Sequence, residues 1–600
     1  MAKMKTRQVL NRIWVYMRPY KWQFIFSNIA LVISIISSAL EPYIFGLAIT
    51  KLAENVIQIS RGVPGAHVEF SYIRNILILY AIRGFFYYGS SYLSQFLLTN
   101  VVQNSIFDLR HDLSNKVNRL PVSYFDQQET GDILSKMTND VDTISNAIQQ
   151  SFSQLVIAIL GIILSMTMVF WIQWRIALIM LVMIPLTSLV ARYFLKKSQP
   201  AYNQQSNALG HLFGYAQEQL SGFTEIKVFD KQMDSVEEFR KRNMNLRNHG
   251  FKASLISSMM MPVMVMMSNL TYIVVVVYGL QLVFAGVLAI GNLNAVLSYV
   301  WQVTQPIQTI SQLSGVIQSA LSASYRVFGF LDEEEESDPQ VTQTFPEEIQ
   351  GGVEFRNVCF GYKKDQPLMK NISFKAHPGE MIAVVGPTGA GKTTLINLLM
   401  RFYDIDSGQI LIDGVDTQEV SRQDLRKHFG MVLQDAWLYT DTVIENIRFG
   451  DLDAKDYEVK EAAEIANVNH FIKTLPSGYD MEINEEASNI SLGQKQLMTI
   501  ARAVLSDPDI LILDEATSSV DTRLEKLIQE AMDKVMEGRT SFVIAHRLST
   551  IRDADLILVM KNGNIIETGT HDSLLASGGV YADLYNSQFN NNPVDVHMAF

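Results

Sequence analysis

The chain has 600 residues, 48% hydrophobic and 18% charged, with a formal net charge of −12. That length predicts two or more domains, and the acidic balance excludes a general nucleic-acid binder, which needs a basic face. A single cysteine, Cys359, excludes an intramolecular disulfide and a cysteine-built metal cluster.

A mean hydropathy of +0.11 is high for a soluble protein, and it averages two unlike halves. Residues 7–20 mix Arg7, Arg12 and Arg18 with Leu10, Ile13, Trp14 and Tyr16. The pattern suits an amphipathic helix on a membrane surface; a frayed arm is the alternative. The apolar run behind the basic N-terminus is long enough to stay in a membrane, so no cleavable signal peptide is expected. Six apolar spans follow, at 22–49, 73–99, 152–172, 176–195, 256–284 and 293–317. A helix needs about 20 residues to cross the hydrocarbon. A short turn at Gln173, Trp174 and Arg175 parts the third span from the fourth, which predicts a hairpin. Basic residues gather before the first span and after the second and fourth, among them Lys3, Lys5, Arg110, Lys116, Lys196 and Lys197. Both termini are therefore expected in the cytoplasm. The two inner connections are long, and their helical periodicity predicts helices that continue beyond the membrane.

Glu41 and Arg83 are ionisable residues inside spans one and two. Either they pair, the usual solution for charge in a membrane, or Glu41 faces a substrate cavity. Met259, Met260, Met261, Met264, Met266 and Met267 crowd around Pro262. They suit an adaptable cavity, or ordinary packing and lipid contact. The acidic run from Glu333 to Glu336, with Ser337, Asp338 and Pro339, reads as a solvated linker.

From Val353 onward strands and helices alternate, as in an α/β domain with a mainly parallel core sheet. Gly386, Pro387, Thr388, Gly389, Ala390, Gly391, Lys392 and Thr393 follow the apolar strand 381–385 and lead into a helix from Thr394. Strand, glycine-rich loop and helix in that order are the setting of a P-loop, whose backbone amides curl around phosphates. Lys392 is expected to reach the β- and γ-phosphates and Thr393 to ligate Mg²⁺. A second apolar strand, 510–513, ends in Asp514 and Glu515. Asp514 then holds Mg²⁺, and Glu515 polarises the attacking water. These residues describe an ATP-driven machine fused to a membrane domain.

Gln434 in MVLQD, Ser491, Gly493 and Gln494 in ISLGQ, the run from Asp514 to Asp521, and His546 in IAHR resemble the nucleotide-binding domain of ABC transporters. Segments 121–142, 217–230 and 323–336 resemble the intracellular loops and linker of ABC exporters. Nearly the whole chain is similar to a half-transporter, in particular to the catalytic subunit of bacterial heterodimeric multidrug exporters. The resemblance implies an all-α, six-helix transmembrane domain of type IV exporter architecture fused to an α/β P-loop NTPase domain. The expected order is an elbow helix at 1–21, a transmembrane domain at 22–320, a linker at 321–350, a nucleotide-binding domain at 351–587 and a tail at 588–600.

The resemblance also implies roles. Tyr362 stacks on adenine, the segment from Gly386 to Thr394 holds the phosphates, and Gln434 senses Mg²⁺. His546 contacts the γ-phosphate, while Asp521 communicates across a dimer. Ser491, Gly493 and Gln494 clamp the ATP of the opposite subunit. Coupling helices are expected near 121–131 and 218–229, the second reaching the partner's domain, with Glu485 close to that contact.

Two departures stand out. The usual LSGGQ signature is Ile490-Ser491-Leu492-Gly493-Gln494 here, and Ala487 occupies a place where glycine is common. Beside an intact Glu515 they point to the catalytic half of a heterodimer; a homodimer with two equal sites is the alternative. The expected activity is ATP-driven export of amphipathic drugs across a bacterial plasma membrane by alternating access. ATP and Mg²⁺ are the cofactors. A second half-transporter, the bilayer and small amphipathic substrates are the partners, with no nucleic acid. A homodimeric lipid flippase would use the same motifs. A peptide exporter fits less well, since no cysteine stands before the first span.

Overall fold

The structure, a computed structural model, describes residues 6–338, 341–346, 348–363, 365–433, 436–485, 487, 489–514, 522–544 and 551–589. The chain divides into two compact units: Met1–Arg119 with Gln128–Glu334, and Leu120–Gln127 with Glu335–Phe600.

The first unit is helical. Thr6–Met17 forms the expected amphipathic helix, burying Val9 and Met17 and exposing Leu10 and Val15. Long helices follow at Lys21–Ser60, Phe70–Val117, Ser153–Ser221, Gln232–Phe284 and Ile290–Leu331. Ser153–Ser221 is interrupted at Gln173, where φ is −158° and ψ is 100°. The break between spans three and four is thus one extended residue, with helix on either side. The inner connections are largely helical too, with short helices at Val122–Asp126, Thr130–Ser135 and Phe223–Val228.

Three helical stretches among the described residues are long and apolar enough to cross a membrane by length and composition: Thr6–Ser60, Thr130–Ser221 and Gln232–Phe284. The middle one contains both the third and fourth expected spans. The second and sixth fall in Phe70–Val117 and Ile290–Leu331, which are helical but more polar. Ser90, Ser91, Ser94 and Gln95 interrupt the first, and Asn292, Asn294, Gln302 and Gln305 the second. Polar side chains on such helices are met by neighbouring helices or by a cavity.

Glu41 and Arg83 pair: Arg83 Nη1 lies 2.9 Å from Glu41 Oε2, and the Tyr80 hydroxyl donates to Oε1 at 2.7 Å. The methionine cluster divides, with Met264 and Met267 buried and Met259, Met261 and Met266 exposed.

Among the described residues the second unit holds ten strands: β1 Val353–Phe360, β2 Met369–Ala376, β3 Met381–Val385, β4 Ser407–Ile412, β5 Val415–Asp416, β6 Phe429–Val432, β7 Ile510–Asp514, β8 Thr540–Ile544, β9 Leu556–Lys561 and β10 Asn564–Gly569. The core sheet runs β10-β9-β3-β8-β7-β6 and is parallel except at the β10–β9 edge. Strands β3, β7 and β8 are almost wholly buried, as befits parallel strands covered on both faces. A separate antiparallel sheet, β2-β1-β4-β5, was not foreseen.

Within the acidic linker Glu334 and Glu335 are exposed as expected, but Glu336 and Asp338 are engaged by arginines. Arg426 donates two hydrogen bonds to Glu336, at 2.7 and 2.9 Å, and Arg422 donates to Asp338 at 2.6 Å. Arg401 and Arg422 are both buried, and a buried guanidinium is costly without a carboxylate. Burial alone would push Asp338 up, but the backbone N–H and guanidinium of Arg422, together with Arg401, hold it below the usual carboxylate range. A depressed acid adds stability above its ordinary range and loses it as pH falls.

Helices Lys21–Ser60 and Ile290–Leu331 meet backbone to backbone at Gly46 and Gly291, where a Cβ on Gly291 would overlap the Gly46 carbonyl. Gly291→Ala is expected to destabilise the first unit by about 1–3 kcal/mol, read as a lower unfolding temperature in detergent. Gly84→Ala, with nothing within 4 Å of its Cβ, serves as the control. Equal behaviour of the two variants would contradict this packing.

Candidate functional site

β3 ends at Val385 and a helix begins at Lys392. Gly386, Gly389 and Gly391 turn the loop between them at φ values of 154°, 80° and 103°, which L side chains rarely adopt. A Cβ on Gly386 would also press on the Met560 carbonyl, and one on Gly391 on the Gly563 Cα. The loop is therefore specified by the absence of side chains, and it delivers its backbone to a helix N-terminus.

Lys392 Nζ donates to the carbonyls of Gly386 at 2.7 Å and Pro387 at 3.1 Å. Burial pulls its pKa below the ordinary lysine value, while Asp514 pushes it back up. β3 and β7 both flank β8 in parallel, so the loop and Asp514 sit at the same carboxyl edge of the sheet. That edge is where open α/β sheets bind ligands. Loop amides, a helix N-terminus, a partly desolvated ammonium, the Thr393 hydroxyl and the Asp514 carboxylate form a donor set that fits a polyphosphate with a divalent cation.

Tyr362 stands at the rim. Its hydroxyl lies 2.9 Å from Thr394 Oγ1 on the loop's helix, and its ring is half exposed. It meets Phe360 and Tyr403 edge to face, each at 5.0 Å between centroids. An exposed aromatic face at this position suits stacking by a flat base.

Ser491 and Gln494 form a reciprocal cap on the helix Leu492–Leu505. Ser491 Oγ accepts from the Gln494 backbone N–H at 3.4 Å, and Gln494 Oε1 accepts from the Ser491 N–H at 2.9 Å. Gly493 is buried and Leu492 exposed. Ala487 has φ of 47°, the left-handed region that favours glycine, which accounts for the residue type usual there. Of the expected site residues, the structure brings Tyr362, the segment from Gly386 to Thr394 and Asp514 to one region; the signature opens a separate helix. Gln434, Glu515, Asp521 and His546 lie outside the described residues.

Residues 24–307 match the family model of the ABC transporter transmembrane region, and residues 369–518 match that of the ABC transporter. The chain is 45% identical over 520 residues to the fatty acid ABC transporter ATP-binding/permease protein of Mycobacterium tuberculosis, covering 86% of this chain and 82% of that one. It is 38% identical over 589 residues to the uncharacterized ABC transporter ATP-binding protein YfiC of Bacillus subtilis, covering 98% and 96%. It is 33% identical over 586 residues to the ATP-dependent lipid A-core flippase of Vibrio cholerae, covering 97% and 98%. The chain belongs to the ABC transporter family. It is a half-transporter of the exporter type, a multi-pass membrane protein that hydrolyses ATP to drive transport. Half-transporters of this kind dimerise.

A coupling helix was expected near 121–131, but the side-chain pair that holds it escaped sequence reasoning. Leu120–Gln127 folds as part of the half-transporter's nucleotide unit, and there the Tyr403 hydroxyl donates to Asp126 Oδ2 at 2.5 Å. Burial, then this hydrogen bond, raises the Tyr403 pKa, so the hydroxyl stays protonated and remains a donor. Side chains are thereby continuous from Asp126 through Tyr403 and Tyr362 to Thr394. The run Arg401-Phe402-Tyr403-Asp404 was a visible polar cluster, but nothing in it pointed to a partner 277 residues away. Tyr403→Phe keeps the ring and deletes the donor; Asp126 is exposed, so water takes up its carboxylate and the stability cost is small. The variant is expected to lower substrate-stimulated ATP hydrolysis while ATP affinity, followed with a fluorescent nucleotide, stays at the wild-type value. Tyr362→Ala is expected to weaken ATP binding itself.

Proposed function

We propose that the half-transporter exports amphipathic, partly apolar molecules such as drugs or dyes by alternating access, as the catalytic subunit of a heterodimer in a bacterial plasma membrane. Its termini and nucleotide domain face the cytoplasm. The observation that carries this reading is the shared unit of Leu120–Gln127 and the nucleotide domain, with Asp126 held by Tyr403. That contact gives an event at the phosphates a route toward the helix Phe70–Val117, three residues upstream of Leu120.

In this reading Lys392 and the loop amides hold the β- and γ-phosphates, and Tyr362 stacks on adenine. Thr393, Gln434 and Asp514 hold Mg²⁺, which neutralises charge on the phosphate oxygens. Glu515 orients the attacking water and His546 contacts the γ-phosphate. Ser491, Gly493, Gln494 and Asp521 serve the nucleotide on the partner. ATP favours the closed arrangement of two such domains by its differential affinity, and hydrolysis resets them.

Two features support a heterodimer. Leu492 replaces a small signature residue, and Ala487 adopts a conformation that costs an L residue about 1–2 kcal/mol. A weakened signature beside a full set of catalytic residues suits a partner that supplies the regular signature. The names of the relatives favour a second reading, in which the same machinery moves a lipid or a fatty acid.

Expression of this chain alone is expected to give little ATP turnover and no stable dimer by native mass measurement. A stable, fully active homodimer would remove the heterodimer reading. Glu515→Gln is expected to retain ATP binding and lose turnover by about 10²–10⁴-fold; turnover near the wild-type rate would take the water-polarising role away from Glu515.

A further inference from the structure

The first unit holds a half-open cavity of about 540 Å³, inside the range of about 300–1,000 Å³ that small-molecule sites occupy. Its polar wall is made of Ser34, Tyr87, Gln154, Gln302, Gln305 and Thr309, interleaved with small and aliphatic side chains. No Asp, Glu, Lys, Arg or His is among the described residues that line it. The sequence accounts for this, since none of those residue types occurs from Thr143 to Trp174 or from Ile290 to Tyr325.

One cation stands close by. The Arg83 guanidinium lies 5.7 Å from the centre of the Tyr87 ring. Its charge is met by Glu41 at 2.9 Å, and a second hydrogen bond goes to the Ser37 carbonyl at 3.3 Å. Gln302 is oriented by Ser165, whose hydroxyl donates to Oε1 at 3.1 Å, leaving its amide N–H groups to donate. An ionic headgroup entering this wall would shed water and find no countercharge, whereas amides and hydroxyls can replace the water around an uncharged one.

We infer that this wall selects amphipaths with an uncharged, hydrogen-bonding headgroup and discriminates against carboxylate headgroups. The inference rests on the exporter reading above and narrows its cargo. Its test uses the purified dimeric transporter in nanodiscs of phosphatidylcholine. Three probes of equal alkyl length are compared: a monoacylglycerol, a fatty acid and an alkyltrimethylammonium ion. The readouts are equilibrium binding of each probe and the concentration that half-maximally stimulates ATP hydrolysis.

The monoacylglycerol is expected to act at a concentration about tenfold lower than either ion, the ratio that 1.4 kcal/mol of differential binding gives. Gln305→Lys supplies a countercharge and is expected to lower the fatty acid's half-maximal concentration about tenfold by the same conversion. Wild-type protein that prefers the fatty acid, or a Gln305→Lys variant whose fatty acid response is unchanged, overturns the inference and leaves the exporter reading standing. ATP hydrolysis that responds to none of the three probes overturns the exporter reading for amphipaths and this inference together.

Discussion

A transporter that spends ATP must pass a change at the phosphates to helices that never touch the nucleotide, and side-chain contact is the means this chain provides. Eight residues from the membrane half, Leu120–Gln127, fold with the nucleotide unit. Asp126 accepts from Tyr403, the Tyr403 ring lies edge-on to Tyr362, and the Tyr362 hydroxyl meets Thr394 in the first turn of the loop's helix. Aromatic rings have few rotatable bonds and pack in defined geometries. A cluster of them transmits a displacement instead of absorbing it. The inner-loop helix and the rim of the phosphate loop therefore share one aromatic group.

The same turn of chain also receives the linker. Arg401 lies two residues before Tyr403, and with Arg422 and Arg426 it engages Glu336 and Asp338. The linker and the inner-loop helix thus converge on residues 401–404, just beyond the helix that closes the phosphate loop at Leu399. Because Asp338 is held below its ordinary pKa, the linker anchor is complete at neutral pH and weakens in acid.

Features with local causes were legible in the sequence. The phosphate loop was readable because three glycines, a lysine and a threonine occur at fixed spacing after an apolar strand, and the backbone angles at Gly386, Gly389 and Gly391 give the physical reason for that spacing. The cost of charge in a membrane predicted the pairing of Glu41 with Arg83. Features created by distant partners were not legible. The acidic linker looks solvated until the buried arginines that neutralise it are placed against it. Asp126 and Tyr403 each look like ordinary surface residues. The antiparallel sheet was overlooked although β2 alternates buried and exposed positions, because the parallel core dominated the pattern. Hydropathy also underrated the polar helices Phe70–Val117 and Ile290–Leu331, which give Ser91, Gln302 and Gln305 to the lining of a cavity. For Gln434, Glu515, Asp521 and His546 the motif alone speaks.

The most direct test of ATP-driven export is uptake of a fluorescent amphipath into inside-out membrane vesicles that carry the half-transporter and its co-purifying partner. Wild-type vesicles are compared with and without ATP, and with vesicles containing Lys392→Ala. The account predicts accumulation that requires ATP and is abolished by Lys392→Ala. Accumulation that is the same without ATP, or that survives loss of the lysine, would contradict it.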